Sequence, residues 1–433
     1  MAGRLVTSTV TILAVAVSVG FAQSGPAPQE STRAGGDKDA SADRASPPAV
    51  TAHTRAEEIE RLRREKARNL TPDLPPKGEQ IVTEIQKNIL QKVFGGVHGL
   101  RPSLGGLYPR SGFAAGPEYF RPDLADGRIQ FRAAAKLSTR LYEKADVQLS
   151  FPRLANDHAF LDLIAVYRNY PQVDYYGPGP NSSKNGRSNY RLEDHSADFT
   201  AGLRPFRYLK FGATGGYLGV NVGPGTDERF VSTEQIYTEA QAPGVQYQSN
   251  FLRGGPFVQF DYRDRPGDPH KGGNYVASFL VYDDRGLDVY NFRRFSADVQ
   301  QYIPFFNEKR TIALRGRTEL SYRNSGVPIP FYLQPTLGGS DDLRGYRVFR
   351  FYDDNSFVMN GEYRWEVMSG LDMAVFMDAG KVFHSKSQLN FADMRTDAGF
   401  GLRFSSKQAV FMRSDFGFSR EGFQVWVKFG NLF

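Results

Sequence analysis

Phe423-Gln424-Val425-Trp426-Val427-Lys428-Phe429-Gly430-Asn431-Leu432-Phe433 is the stretch on which the fold turns. Phe423, Val425, Val427 and Phe429 share one parity, and Gln424, Trp426, Lys428 and Gly430 share the other. A period of two puts successive side chains on opposite faces, so this is a strand with one apolar and one polar face. Moving towards the N-terminus, Val410, Met412, Phe416 and Phe418 alternate with Arg413 and Asp415. Ala398, Phe400, Leu402 and Phe404 alternate with Gly399, Gly401 and Arg403. Leu371, Met373, Val375 and Met377 oppose Asp372, Phe376, Asp378 and Gly380. Phe357, Met359, Tyr363, Trp365 and Val367 oppose Asn360, Glu362, Arg364 and Glu366, and Ile312, Leu314, Leu320 and Tyr322 oppose Arg315, Arg317 and Glu319.

Segments 128–138, 141–152, 159–171, 189–204, 208–222, 251–264, 274–284 and 290–305 read the same way. We count about fifteen clear strands, and a weaker one over Leu100 to Tyr108 makes sixteen, the even number a bacterial membrane barrel requires. A soluble sandwich would also alternate, but its charged faces would look outward and its apolar faces would share one core. Short connections (204–207, 306–309, 405–408) alternate with long ones (172–188, 223–250, 324–355), as periplasmic turns and surface loops do. The expected fold is all-β: a transmembrane antiparallel barrel of sixteen strands behind a short disordered and helical extension.

Composition agrees. Aromatic residues make up 13% of 433 residues, with 44 Gly and no Cys. Mean hydropathy is −0.46, and no apolar run of about 20 residues follows the N-terminus, which excludes a helical membrane bundle. The charge of +7 is scattered through the chain and not gathered into one basic block. Ordinary solvated surface charge accounts for it first and anionic headgroups of the outer-membrane lipid second, and no nucleic-acid partner is expected.

The N-terminus explains how such a chain reaches a membrane. Arg4, an apolar stretch from Leu5 to Gly20 and the small residues of Gly20-Phe21-Ala22 form the layout of a cleaved signal peptide, residues 1–22. Residues 23–96 read as a periplasmic extension: Ala/Pro/Ser-rich to about 55, then a charged helix over Thr54 to Leu70. A Pro-rich break at Pro72 to Pro76 precedes an amphipathic helix over Glu79 to Phe94, with Ile81, Ile85, Ile89 and Val93 on one face. The barrel occupies residues 97–433.

Three motifs then converge. A long loop carries Gly338-Gly339-Ser340-Asp341-Asp342-Leu343-Arg344-Gly345-Tyr346, a later strand carries Phe376-Met377-Asp378-Ala379-Gly380, and the last strand ends in aromatics. In order and placement these resemble the BamA/TamA-like outer-membrane assembly and translocation superfamily, also called the bacterial surface antigen family. Its motifs are an (Ile/Val)-Arg-Gly-(Phe/Tyr) loop, a Phe-x-Asp-x-Gly strand and an aromatic C-terminus; Leu343 is a mild departure. Asp261 to Pro269 resembles the family's mid-barrel periplasmic turn, and Tyr176-Gly177-Pro178-Gly179 an early loop motif.

The resemblance implies insertion or translocation of polypeptide, or lipid, at the outer membrane. It also implies that Arg344, Gly345, Tyr346, Glu362, Phe376, Asp378 and Gly380 lock the loop into the lumen. Val425, Val427, Phe429 and Phe433 would be the barrel-assembly signal. Parity independently puts Phe376 and Asp378 on the hidden face, beside Glu362. An extracellular Arg344 that never meets Asp378 is the competing reading. The family's seam between first and last strands would offer edge hydrogen bonds to an incoming strand, and a weak first strand and Gly430 suit a labile seam. Members that insert or secrete proteins carry POTRA domains of alternating strand and helix, and residues 23–96 show no such pattern. Client capture from the periplasm would then be lacking or fall to a separate chain; the expected partners are outer-membrane lipid and either unfolded outer-membrane clients or a separate periplasmic chain. The alternative function is a passive pore, or a barrel anchoring a partner. The six His residues lack metal spacing and no nucleophile has a His partner. Neither enzymatic activity nor a metal or cofactor is expected.

Overall fold

The computed structural model describes residues 55–68, 97–108, 110–306, 309–405 and 410–429. The signal-peptide and low-complexity readings, the amphipathic helix over 79–94, Gly430 and Phe433 lie outside these residues. Helix α1 (Arg55–Arg68) belongs to a first unit, residues 1–73. It is a solvated helix in which Arg64 donates to Glu60 one turn away at 2.9 Å, an exposed pair worth only a few tenths of a kcal/mol.

The second unit, residues 74–433, is built of strands. In chain order these are β1 (Leu100–Gly105), β2 (Ala114–Leu124), β3 (Ile129–Ser138), β4 (Glu143–Leu154), β5 (Ala159–Tyr175) and β6 (Ser188–Phe206). Next come β7 (Leu209–Pro224), β8 (Phe251–Asp261), β9 (Gly272–Asp284), β10 (Phe292–Phe305) and β11 (Arg310–Arg323). Two short pieces, β12 (Thr336–Leu337) and β13 (Phe351–Tyr352), pair with each other inside the longest loop. The wall resumes with β14 (Asn355–Met368), β15 (Leu371–Phe383), β16 (Arg395–Ser405), β17 (Val410–Ser419) and β18 (Gly422–Phe429).

All but β12 and β13 form one 16-stranded sheet whose spatial order follows the chain. Every described neighbour pairing in it is antiparallel, as at β14–β15 and β17–β18. The sheet curls into a nearly closed barrel: β1 and β18 come into contact, with no backbone ladder between them among the described residues.

The alternation sorts as a membrane demands. Phe423, Val425 and Val427 are 65%, 49% and 55% exposed on the outer face of β18, whereas Trp426 between them is 7% exposed. Met377 and Val375 likewise look outward while Asp372 and Asp378 are buried. An apolar exterior around a charged interior is the inverse of a soluble sandwich and fits a lipid solvent.

One strand escaped the sequence pattern. β2 carries Pro117 and Pro122, which spoil the alternation; its ladder to β3 pairs Ala115 with Leu137, skips Gly116 and Pro117, and resumes at Glu118. A proline has no N–H for the ladder and is tolerated where pairing is interrupted.

At one end of the barrel every connection is of two to ten residues, as at 207–208, 262–271 and 369–370. The long ones, 176–187, 225–250 and 324–354, collect at the other. The long loops do not stand open. Tyr175 packs edge-on against Tyr237, Phe331 and Tyr352 at centroid distances of 5.0, 5.1 and 4.9 Å. Ile329, Tyr190 and Tyr290 extend the same buried cluster. This aromatic dome over the surface end is the largest apolar core among the described residues.

Candidate functional site

The site begins in the 324–354 loop, which turns from the dome down into the lumen. Gly338 and Gly339 take positive φ (116° and 106°), a conformation that costs a side-chain-bearing residue strain and glycine none. The chain then carries Leu343, Arg344 and Tyr346 into full burial against the walls of β14 to β17. Gly345 is set there by close approach: a Cβ would fall 2.6 Å from Asp397 Cβ and 2.9 Å from the Phe418 carbonyl carbon. From the opposite side a Cβ on Gly417 would meet the Arg344 carbonyl oxygen at 2.4 Å. Loop and wall thus touch backbone to backbone.

Arg344 is the hub. Its Nε and Nη2 each donate at 2.8 Å to the two oxygens of Asp378, a bidentate fork, and its own amide adds a third donor to Asp378 at 3.2 Å. Nη1 donates to Glu362 Oε2 at 2.6 Å. The guanidinium carbon lies 3.4 Å above the Phe376 ring. Arg344, Glu362 and Asp378 are 4%, 8% and 0% exposed, so these are charge-assisted bonds in a water-poor site, the strong kind. Gly380 sits above, where a Cβ would press Phe357 O and Leu337 Cδ1 at 3.0 and 3.1 Å. Tyr346 Oη reaches the Thr396 carbonyl at 3.3 Å.

The sequence placed Phe376 and Asp378 on the hidden face beside Glu362, and the register shows which of them stands directly opposite. Asn360 faces Asp378 and Glu362 faces Phe376, and the long Arg344 fork spans the diagonal. Asn360 uses its place to bond both Asp378 Oδ1, at 2.8 Å, and the Asp342 carbonyl, at 2.6 Å.

Several members of the site were not singled out from sequence. Arg403 donates to Glu362 at 2.9 Å and meets Asp415 at 2.7 Å. Arg364 reaches the same Glu362 at 2.7 Å, and Arg413 pairs with Asp415 at 2.7 Å while donating to the Ser340 carbonyl at 2.6 Å. Trp426 donates its indole N–H to the Arg344 carbonyl at 2.7 Å, and Lys428 contacts Asp341. The signal was present, since each stands on the inward parity of its strand. What parity withheld is which inward residues meet a loop.

Val425 and Val427, read as part of an assembly signal, lie on the outer face of β18 and touch none of this. Phe429 pairs by backbone with Met412. Beneath the loop, Gln300, Tyr302, Arg315 and Arg364 border a small cavity of about 50 Å³ next to Arg344. The arrangement is mechanical in its chemistry: it binds a loop by charge and hydrogen bonds.

A domain model described as the Omp85 superfamily domain matches residues 130–422. No curated protein sequence matches the chain. Among solved structures, BamA from Haemophilus ducreyi lacking POTRA domains 1–3 is similar at 15% identity and a TM-score of 0.57, over 77% of this chain and 70% of that one. CdiB from Escherichia coli is similar at 14% identity and a TM-score of 0.51, over 77% of this chain and 62% of that one. The chain spans less than two thirds of the length of CdiB, and at these identities the likeness is one of fold. With the domain model covering more than half the sequence and the barrel around it of the same build, the protein is an outer-membrane β-barrel of the Omp85 superfamily.

Proposed function

We propose that the barrel assists insertion or translocation of polypeptide, or of lipid, at the outer membrane, and that it does so at the seam between β1 and β18. The observation that carries this reading is the shortness of the wall there. β1 has six residues, against 17, 19 and 16 in β5, β6 and β7. At a rise of about 3.3 Å per residue six residues cover roughly 20 Å, less than the apolar band of about 25 Å even before strand tilt. The bilayer must thin or reorganise beside β1. The edge N–H and C=O groups of the two strands, lacking a mutual ladder among the described residues, are the ones an incoming strand can use. The dome and the in-folded loop favour this over a passive pore, because both occupy the path an open channel needs. The role is a binding and guiding one, with no bond made or broken. Clients would be unfolded outer-membrane proteins, delivered directly or by a separate periplasmic chain.

With no native Cys, the seam is open to a clean test. Cysteine pairs placed between residues 100–105 and 422–429 should cross-link under oxidation. The locked barrel should then lose support of outer-membrane biogenesis in cells and regain it on reduction. Full function with the seam quantitatively locked overturns the proposal.

A further inference from the structure

At the periplasmic end, away from the loop site, the β8–β9 turn (residues 262–271) folds under the barrel mouth. It is braced by its own backbone: Asp264 Oδ1 accepts the amides of His270 and Lys271, both at 3.1 Å. Its tip also reaches the far wall, where the Val410 amide donates to the Gly267 carbonyl at 3.1 Å. Beside that tip, Asp268 and His270 of the turn meet Asp372 at the base of β15. One donor atom from each of the three lies within 4.8 Å of the other two.

Two features single this group out. Asp268 and Asp372 are 6% and 5% exposed, and among the described residues neither carboxylate accepts a hydrogen bond. Two buried carboxylates within reach of each other repel, and such charges persist when a cation lies between them. His270 is in turn posed as a ligand. Its Nδ1 lies 3.0 Å from the Asp268 carbonyl, so the ring N–H is spent there and Nε2 is left with its lone pair. That is the backbone bond that fixes the tautomer of metal-binding histidines. Nε2 sits 3.8 Å from Asp372 Oδ2: too far for a hydrogen bond, but close to the edge of a zinc tetrahedron, about 3.4 Å for bonds near 2.1 Å.

We propose that Asp268, His270 and Asp372 bind one divalent transition-metal ion, zinc being the fit, with water in the fourth position. The ion staples the β8–β9 turn to the β15 wall and holds it across the periplasmic mouth. The other three-residue group, Asp353, Asp354 and His384, is a poorer ligand set. Arg323 already donates to Asp354 at 2.8 and 3.1 Å, and His384 is largely exposed.

The test uses the full-length protein, purified from outer membranes, stripped with a chelator and titrated with zinc alone by calorimetry. One tight ion per chain is expected. His270→Ala and Asp372→Asn should each weaken it by at least about 100-fold, since even the indirect supports of a metal site are worth 10–100-fold. His384→Ala should leave it unchanged. Trypsin gives a second readout, because the bonds after Arg263 and Lys271 lie in or at the edge of the turn. Zinc should slow their cleavage by about 10-fold in the native chain and not in His270→Gln. Heat-modifiable migration shows that each variant is folded, and if Asp372→Asn is not, Asp268→Asn replaces it. Binding equal in His270→Ala, binding lost in His384→Ala, or no zinc bound at neutral pH would overturn the site. The last would leave His270 and Asp372 a simple ion pair.

Discussion

Arg344 could reach its carboxylates only by giving up water, and the geometry shows what it received in exchange. Five of its polar groups are engaged: three guanidinium nitrogens and the amide by carboxylates, the carbonyl by Trp426. Glu362 is shared by three arginines, Arg344, Arg364 and Arg403, so charge is balanced over the cluster and not pair by pair. A pair of this kind stabilises little relative to a well-packed apolar substitute, but removing one partner strands a buried charge at a cost of about 3–5 kcal/mol. Arg344→Ala and Asp378→Ala are each expected to destabilise the barrel or its loop by an amount of that order. The double variant should lose much less than the sum, measured by chemical unfolding in detergent. Additive losses would show that the two residues do not interact energetically. How much of this was legible differs residue by residue. Arg344, Asp378 and Phe376 were marked by motif and parity. Arg403, Arg413 and Asp415 were visible only as polar residues on inward faces, because strand pairing says nothing about which part of a loop descends to them.

At the scale of elements, the 324–354 segment does two jobs along its length. Its outer parts, Ile329, Phe331 and Tyr352, build the dome, and its middle, residues 338–346, plugs the lumen beneath. It is fastened at more than one point. Arg350, 2% exposed, donates to Glu421 at 2.9 Å and to the Ser182 carbonyl at 2.6 Å, tying the loop to the β17–β18 turn and to the loop after β5. A barrel of sixteen strands is wide enough for an aqueous channel unless something fills it. In planar bilayers the intact protein is therefore expected to show small, flickering conductance. Deleting residues 338–346 should give a larger, steadier pore, because plug and tether leave together. A large constant conductance from the intact chain, unchanged by the deletion, would favour the passive-pore alternative.

For the molecule as a whole, stability rests on a lipid solvent outside and an ionic, tightly paired interior, closed by an aromatic dome at one end. Outer-face residues such as Phe423, Val427 and Met377 are more than half exposed, which in water would make a large sticky surface. The folded chain should accordingly fractionate with outer membranes and migrate faster on gels before boiling than after. Well-folded protein recovered from the soluble periplasm would contradict the barrel's placement in lipid.

The wall was legible in the order of the residues. Parity is a local property: each residue's face follows from its neighbours two positions away, so strands, their inward charges and the ends carrying long loops could be read from the alternation alone. It failed only where prolines erased the pattern, at β2. The tertiary structure decided everything that depends on closure. Curling the sheet brings β14, β15, β16 and β17 around one loop, so that Glu362, Asp378, Arg403 and Asp415 converge on or around Arg344. It likewise brings Asp372 to His270 across the mouth and sets short β1 against β18. These juxtapositions depend on sheet curvature and register summed over sixteen strands, which no short window of sequence contains.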